Sequence, residues 1–219
     1  MKRLRICALA LMALGLLVPC VLMPWMPAVV PVHYGVTGAA DRFGSPWMYL
    51  LLPVISAALG AALLLAAPRQ KGGPGQLVMT RMAVYLPLFF CAINSLLMWK
   101  ARGYDPAAGA AGWNVGKLIT VCIAALLLLM GNMLPKARRN ASFGLRNRWS
   151  RHSDGVWRRC QRAGGYLMVG IGLLLLAAAV LLNGLALFIT LLALLAGMAA
   201  GGELACYLVY RAEVKRSGL

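Results

Sequence analysis

Acidic side chains are nearly missing from this 219-residue chain, with five Asp and Glu against 22 Lys and Arg and a formal charge of +17. Charge of either sign is scarce, at 12% of residues, while hydrophobic residues reach 62% and the mean hydropathy is +0.78. A soluble domain is excluded, because a core of this size cannot hide several uncharged runs of about 20 residues. Histidine occurs twice, at His33 and His152, too few for a His-based metal centre of three or more ligands. No HExxH, Walker loop, Ser/His/Asp set or paired intramembrane carboxylate is present, so neither catalysis nor a cofactor is expected. The six cysteines (Cys7, Cys20, Cys91, Cys122, Cys160 and Cys206) show no CxxC spacing and lie in or beside apolar runs. They are expected to pack as small membrane residues without disulfides.

What is abundant is long apolar sequence. Segments at about 6–28, 47–67, 79–99 and 113–134 each suit one membrane crossing. The stretch 165–210 is too long for one, and Asn183-Gly184 divides it into about 166–182 and 185–210. An all-α integral membrane protein with six transmembrane helices follows. The first segment follows Lys2, Arg3 and Arg5 as a secretory signal does, but it is long and lacks a small-x-small cleavage site. It is expected to remain as the first span. With a cytoplasmic amino terminus, 18 Lys and Arg fall inside and four outside (Arg42, Lys100, Arg102 and Lys117). That asymmetry puts both termini in the cytoplasm, and the two histidines on opposite sides of the membrane. The basic residues cluster between spans, so orientation and anionic lipid account for them without direct nucleic-acid binding. The GGPG-containing linker at 69–75 divides a two-span region, 1–75, from a four-span region, 76–219.

Three groups of polar residues stand out. The first external loop, PAVVPVHYGVTGAADRFGSPW, carries His33, Tyr34, Asp41 and Arg42 just outside span one. Such a set could recognise a ligand. Spacing alone favours a structural loop in which His33 bonds to Asp41 or a carbonyl and Gly38 makes a turn. Within the spans, Glu203 is the only acid well inside, and Asn94 is a second polar residue. Intramembrane acids point to ion handling, which gives an alternative function as a small transporter or channel component. Packing of Glu203 against Asn132 or a basic side chain is the plainer expectation.

The third group is the segment Gly131–Gly165, GNMLPKARRNASFGLRNRWSRHSDGVWRRCQRAGG, with nine basic residues and one acid, Asp154. Ser153 is placed to cap a helix starting at Asp154. At about 100° per residue, Val156, Trp157, Cys160, Ala163 and Gly164 share one arc, and Arg158, Arg159 and Arg162 the opposite one. A short amphipathic interfacial helix is predicted here, anchored by Trp157 and turning at Gly164-Gly165 into span five. Its arginines would meet lipid phosphates or a protein. Upstream, Asn140 and Gly144 mark a turn, and Arg146 and Trp149 are expected to pin the loop to headgroups.

In this segment Gly131, Asn132, Leu134, Pro135, Lys136, Asn140, Gly144, Leu145, Arg146, Trp149, Ser150, Ser153, Trp157, Arg162 and Gly165 resemble the hallmark of the SdpI family of bacterial immunity and signal-transduction proteins. The chain differs from the common pattern at Asn147-Arg148, where Thr-Pro is frequent, and at Gln161, where His is frequent. PVHYGVTGAADRFGS in turn resembles the P-x-H-aromatic signature of a small membrane domain often found before it. The resemblance implies a multi-pass protein of the bacterial cytoplasmic membrane that protects the cell from a secreted membrane-active peptide toxin. In some members toxin recognition is coupled to capture of a cytoplasmic repressor. The recognition surface would then be the His33–Asp41 loop, and the docking surface the basic loop.

Overall fold

The computed structural model of the protein describes residues 1–69, 73–103, 114–139 and 143–217. Six helices long and apolar enough to cross a membrane dominate it, as the composition requires. In a bilayer core every backbone N–H and C=O must find its partner within the segment, and a helix does this residue by residue. The helices are α1 (Lys2–Leu22), α2 (Leu51–Ala66), α3 (Gly73–Arg102), α4 (Val115–Met133), α5 (Asp154–Leu181) and α6 (Gly184–Ser217). Pro19 lies within α1 and Pro87 within α3, and both helices continue through them. Gly184, with φ +52°, starts α6 at the Asn183-Gly184 turn where the sequence placed the divide.

One addition to the all-helical expectation is a two-stranded antiparallel hairpin between α1 and α2, formed by β1 (Val30–Tyr34) and β2 (Ala40–Gly44). The buried Tyr49, just before α2, donates its hydroxyl to the Pro31 carbonyl at 2.5 Å and fixes the hairpin to the bundle. Val30 and Tyr49 pack there with Met98 and Ala101 near the end of α3.

α3 packs along α1 and α2 and touches α4, while α5 packs between α4 and α6. The α4–α5 contact is tight: a Cβ added at Gly131 would lie 2.9 Å from the Gly165 carbonyl, and one at Gly165 2.7 Å from the Gly131 carbonyl. Ala124, Leu127, Ile171 and Leu175 continue that seam along the two helices. Towards the outside, Val180 is 76% exposed and Leu65 72%; such apolar belts are what lipid covers.

The connectivity sorts the chain into two ends. Hairpin, start of α4 and start of α6 meet at one. At the other, Ala8 and Met12 of α1 pack on Ala83 and Val84 of α3, Arg81 Nη1 approaches Met133 Sδ at 3.8 Å, and Arg159 pairs with Glu213. The start of α1 and the end of α6 thus lie at this second, basic end. α6 has 34 residues, about 51 Å at 1.5 Å per residue. Its excess over a roughly 30 Å hydrocarbon core extends at the basic end and supports the α4–α5 connection.

The separate interfacial helix is not formed. α5 runs unbroken from Asp154 through Gly164-Gly165 to Leu181. The two glycines, a breaker signal in sequence, instead allow contact: a Cβ at Gly164 would lie 2.4 Å from Leu145 Cδ1, and one at Gly165 2.8 Å from Pro135 Cδ.

Candidate functional site

At the hairpin end, the strand pair carries its tip, Gly35–Ala39, across to the helices of the second half of the chain. Gly35 N–H donates to the Ala39 carbonyl at 2.8 Å and Gly38 N–H to the Gly35 carbonyl at 2.9 Å. Gly38 has φ +82°, and a Cβ there would stand 2.3 Å from Asn114 Oδ1. Asn114 is the N-cap of α4, accepting from Gly116 N–H at 2.9 Å and Lys117 N–H at 3.4 Å, so the tip rests on a cap already in use. Beneath the hairpin is a cavity of about 640 Å³, walled by Val115, Ile119, Leu187, Phe188 and Leu191. His33, Tyr34 and Asp41 line it from the hairpin side. His33 Nδ1 and Asp41 Oδ1 are 2.5 Å apart, each side chain about half exposed. A polar, hydrogen-bonded roof over apolar walls suits an amphipathic ligand.

At the basic end, the connection from α4 to α5 is clasped by side chains. Buried Gln161 accepts from Leu145 N–H at 2.8 Å through Oε1 and donates to the Leu145 carbonyl at 2.9 Å through Nε2, as a neighbouring strand would. Gly144, at φ +118°, turns the chain beside it, where a Cβ would be 2.5 Å from Gln161 Oε1. Next, Asn147 and Ser150 bond reciprocally: Ser150 N–H donates to Asn147 Oδ1 at 2.8 Å and Asn147 N–H to Ser150 Oγ at 3.1 Å. Asn147 Nδ2 also donates to Glu203 Oε2 at 2.9 Å, tying the loop to α6. Trp149 packs edge-on to Tyr207 and tilted against Tyr210, and the Arg148 guanidinium sits 3.8 Å from the Trp149 ring centre.

Residues 136–201 match the SdpI/YfhL protein family, and residues 10–57 match the domain of unknown function DUF1648. The first match runs from the clasped loop through α5 into α6; the second spans most of α1, the hairpin and the start of α2. It carries an SdpI family domain preceded by a small domain. No curated protein and no solved structure matches the chain. The hairpin of the small domain thus roofs a cavity walled by α4, which lies outside both matches, and by the start of α6, which lies within the SdpI match.

The structure gathers some of the residues picked out in the sequence and separates others. Of the hairpin set, His33, Tyr34 and Asp41 share the cavity, whereas Arg42 is exposed and is not among its lining residues. In the SdpI segment, Ser153 caps α5 by accepting from Val156 N–H at 3.2 Å. Val156, Trp157, Cys160 and Gly164 are buried and Arg158 and Arg162 exposed, while Ala163 and Arg159, from the same two arcs, are half-buried and Arg159 pairs with Glu213. Trp157 is no membrane anchor: it is 1% exposed, and its Nε1 donates to the Ala137 carbonyl at 2.8 Å. Trp149 likewise packs on aromatic side chains of α6. Pro135 lies against Gly165, and Asn132 and Arg146 are exposed. Asn140 lies outside the described residues.

Glu203 bonds to Asn147, not to the expected Asn132 or a basic side chain, and faces out of the bundle. Asn94 is buried within α3, its Nδ2 3.6 Å from Met98 Sδ. Neither lines the hairpin cavity. Sequence reasoning missed Asn114 as the hairpin's rest, although an Asn before an apolar run is a legible N-cap signal. It also missed the clasp by Gln161, for which no periodic signal exists. Asn147 and Gln161 are both structural fasteners of the loop.

Proposed function

We propose that this SdpI family protein protects a bacterial cell against a secreted membrane-active peptide toxin, by binding and without catalysis, and that it holds a cytoplasmic repressor at the membrane. The observation that carries the proposal is the hairpin cavity, where the small domain's hairpin, α4 and α6 together border an apolar space beneath the hydrogen-bonded His33–Asp41 roof. A membrane-active peptide has the matching chemistry, with apolar side chains for the walls and backbone or terminal polar groups for His33 and Asp41. The charge asymmetry of the loops supports a cytoplasmic basic end and hence an external cavity. α6 joins the two: Leu187, Phe188 and Leu191 line the cavity, and Glu203, Tyr207 and Tyr210 hold the basic loop. A ligand that binds one setting of α6 better than another would shift the loop by that difference in affinity.

The test is expression in a toxin-sensitive cell challenged with a panel of membrane-active peptides. The native chain is expected to protect. Gly38→Leu, which wedges the hairpin off Asn114, is expected to abolish protection at equal membrane abundance. No protection by the native chain across the panel would remove the immunity assignment. Full protection by the Gly38 variant would remove the cavity from it.

A further inference from the structure

A second concave site lies at the basic end, where Arg138, Arg139 and Arg158 surround a cavity of about 420 Å³ with Trp157 and Asp154. Three guanidinium groups against one carboxylate leave two positive charges in excess. The site is held in place by its neighbours. Arg139 Nη2 donates to the Arg151 carbonyl at 2.7 Å, and its Nη1 is 3.5 Å from Asp154 Oδ1. A guanidinium has five N–H donors, so Arg139 keeps donors for an incoming anion while its position is fixed. Trp157, buried and bonded to Ala137, gives a rigid wall.

We propose that this cavity binds the phosphate group of an anionic lipid headgroup. Forked guanidinium donors match phosphate oxygens in pairs, and the excess charge matches a phosphate of one or two negative charges. The depth of the site favours a lipid over a free ion. Arg162, exposed, is the last charge before the apolar run of α5. Arg158 lies four residues earlier, about 6 Å of helix rise, which falls within a headgroup layer roughly 5–7 Å deep. Asp154 acts in this site as a competing negative charge.

The full-length protein in neutral detergent, exposed to phosphatidic acid, phosphatidylglycerol or phosphatidylcholine, is read by native mass spectrometry for retained lipid. One anionic lipid is expected to be retained over phosphatidylcholine. Arg139→Gln with Arg158→Gln is expected to lower that retention about tenfold or more, and Arg158→Gln alone by less. Lys2→Gln with Arg3→Gln removes the same charge elsewhere and is expected to leave retention unchanged. Asp154→Asn is expected to raise it. Equal retention by the arginine variant and the native chain, an equal loss in the Lys2/Arg3 control, or no gain in Asp154→Asn would overturn the site. Inorganic phosphate is expected to displace the lipid only weakly; binding of free phosphate as tightly as the lipid would overturn the lipid assignment.

Discussion

Replacing Gly144 by alanine tests how the basic loop is held. Two costs fall on one methyl group. The backbone at φ +118° is outside the regions open to residues with a Cβ, a strain of about 1–3 kcal/mol. The methyl carbon would also stand 2.5 Å from Gln161 Oε1, so the Gln161 amide must leave its two bonds to Leu145. Buried polar groups left without partners cost about 1–3 kcal/mol each. Since one relaxation relieves part of both costs, a total of about 3–6 kcal/mol is expected. The spans keep their own hydrogen bonds, so the loss should appear as local opening of the loop rather than unfolding of the bundle. Hydrogen exchange at the Leu145 amide reads this directly. Exchange there should accelerate by roughly 10²–10⁴, or up to the limit set by the native opening, while α5 amides beyond Gly165 stay protected. Gln161→Ala should accelerate the same amide, and the double variant should fall short of the sum because both act through the clasp. Unchanged protection at Leu145 in Gly144→Ala, or strictly additive effects in the double variant, would refute the clasp.

Trp157→Phe keeps most of the buried ring but removes the Nε1 bond to Ala137. It should destabilise the start of α5 by about 1–2 kcal/mol, seen as faster exchange near Ala137 and Trp157; an unaltered exchange pattern would show that the bond contributes nothing. Reporters active only in the cytoplasm should function when fused to either terminus and fail when inserted after Gly103. A silent carboxy-terminal fusion would contradict the orientation read from the loop charges.

Much of this architecture was legible in the chain. Apolar length alone gives six crossings, Asn183-Gly184 gives the last hairpin, and the arcs of α5 separate buried Trp157 and Cys160 from exposed Arg158 and Arg162. The His33–Asp41 pairing and the Gly38 turn were also expected from spacing. The strands on either side were not. β1 contains a proline and β2 two charges, so neither has the apolar alternation that marks a strand. Gly164-Gly165 misled for a different reason. Two adjacent glycines weaken a helix locally, but here Gly131, Leu145 and Pro135 pack into the space they leave, and tertiary contact outweighs propensity. Gln161 could not be placed from sequence, because its partner is the backbone of Leu145, and any residue has a backbone.

The hairpin resting on Asn114 is a ligand tethered to its own receptor. Because α1–α3 and α4–α6 are one chain, the tip is present at Asn114 at an effective concentration in the millimolar range or above, set by the connecting segments. A contact too weak to hold two separate molecules together then suffices to keep the cavity roofed. An incoming guest therefore meets a cavity already roofed by the hairpin rather than an open face. Separating the two halves onto different polypeptides would lose the roof by dilution, even if every residue in it were kept.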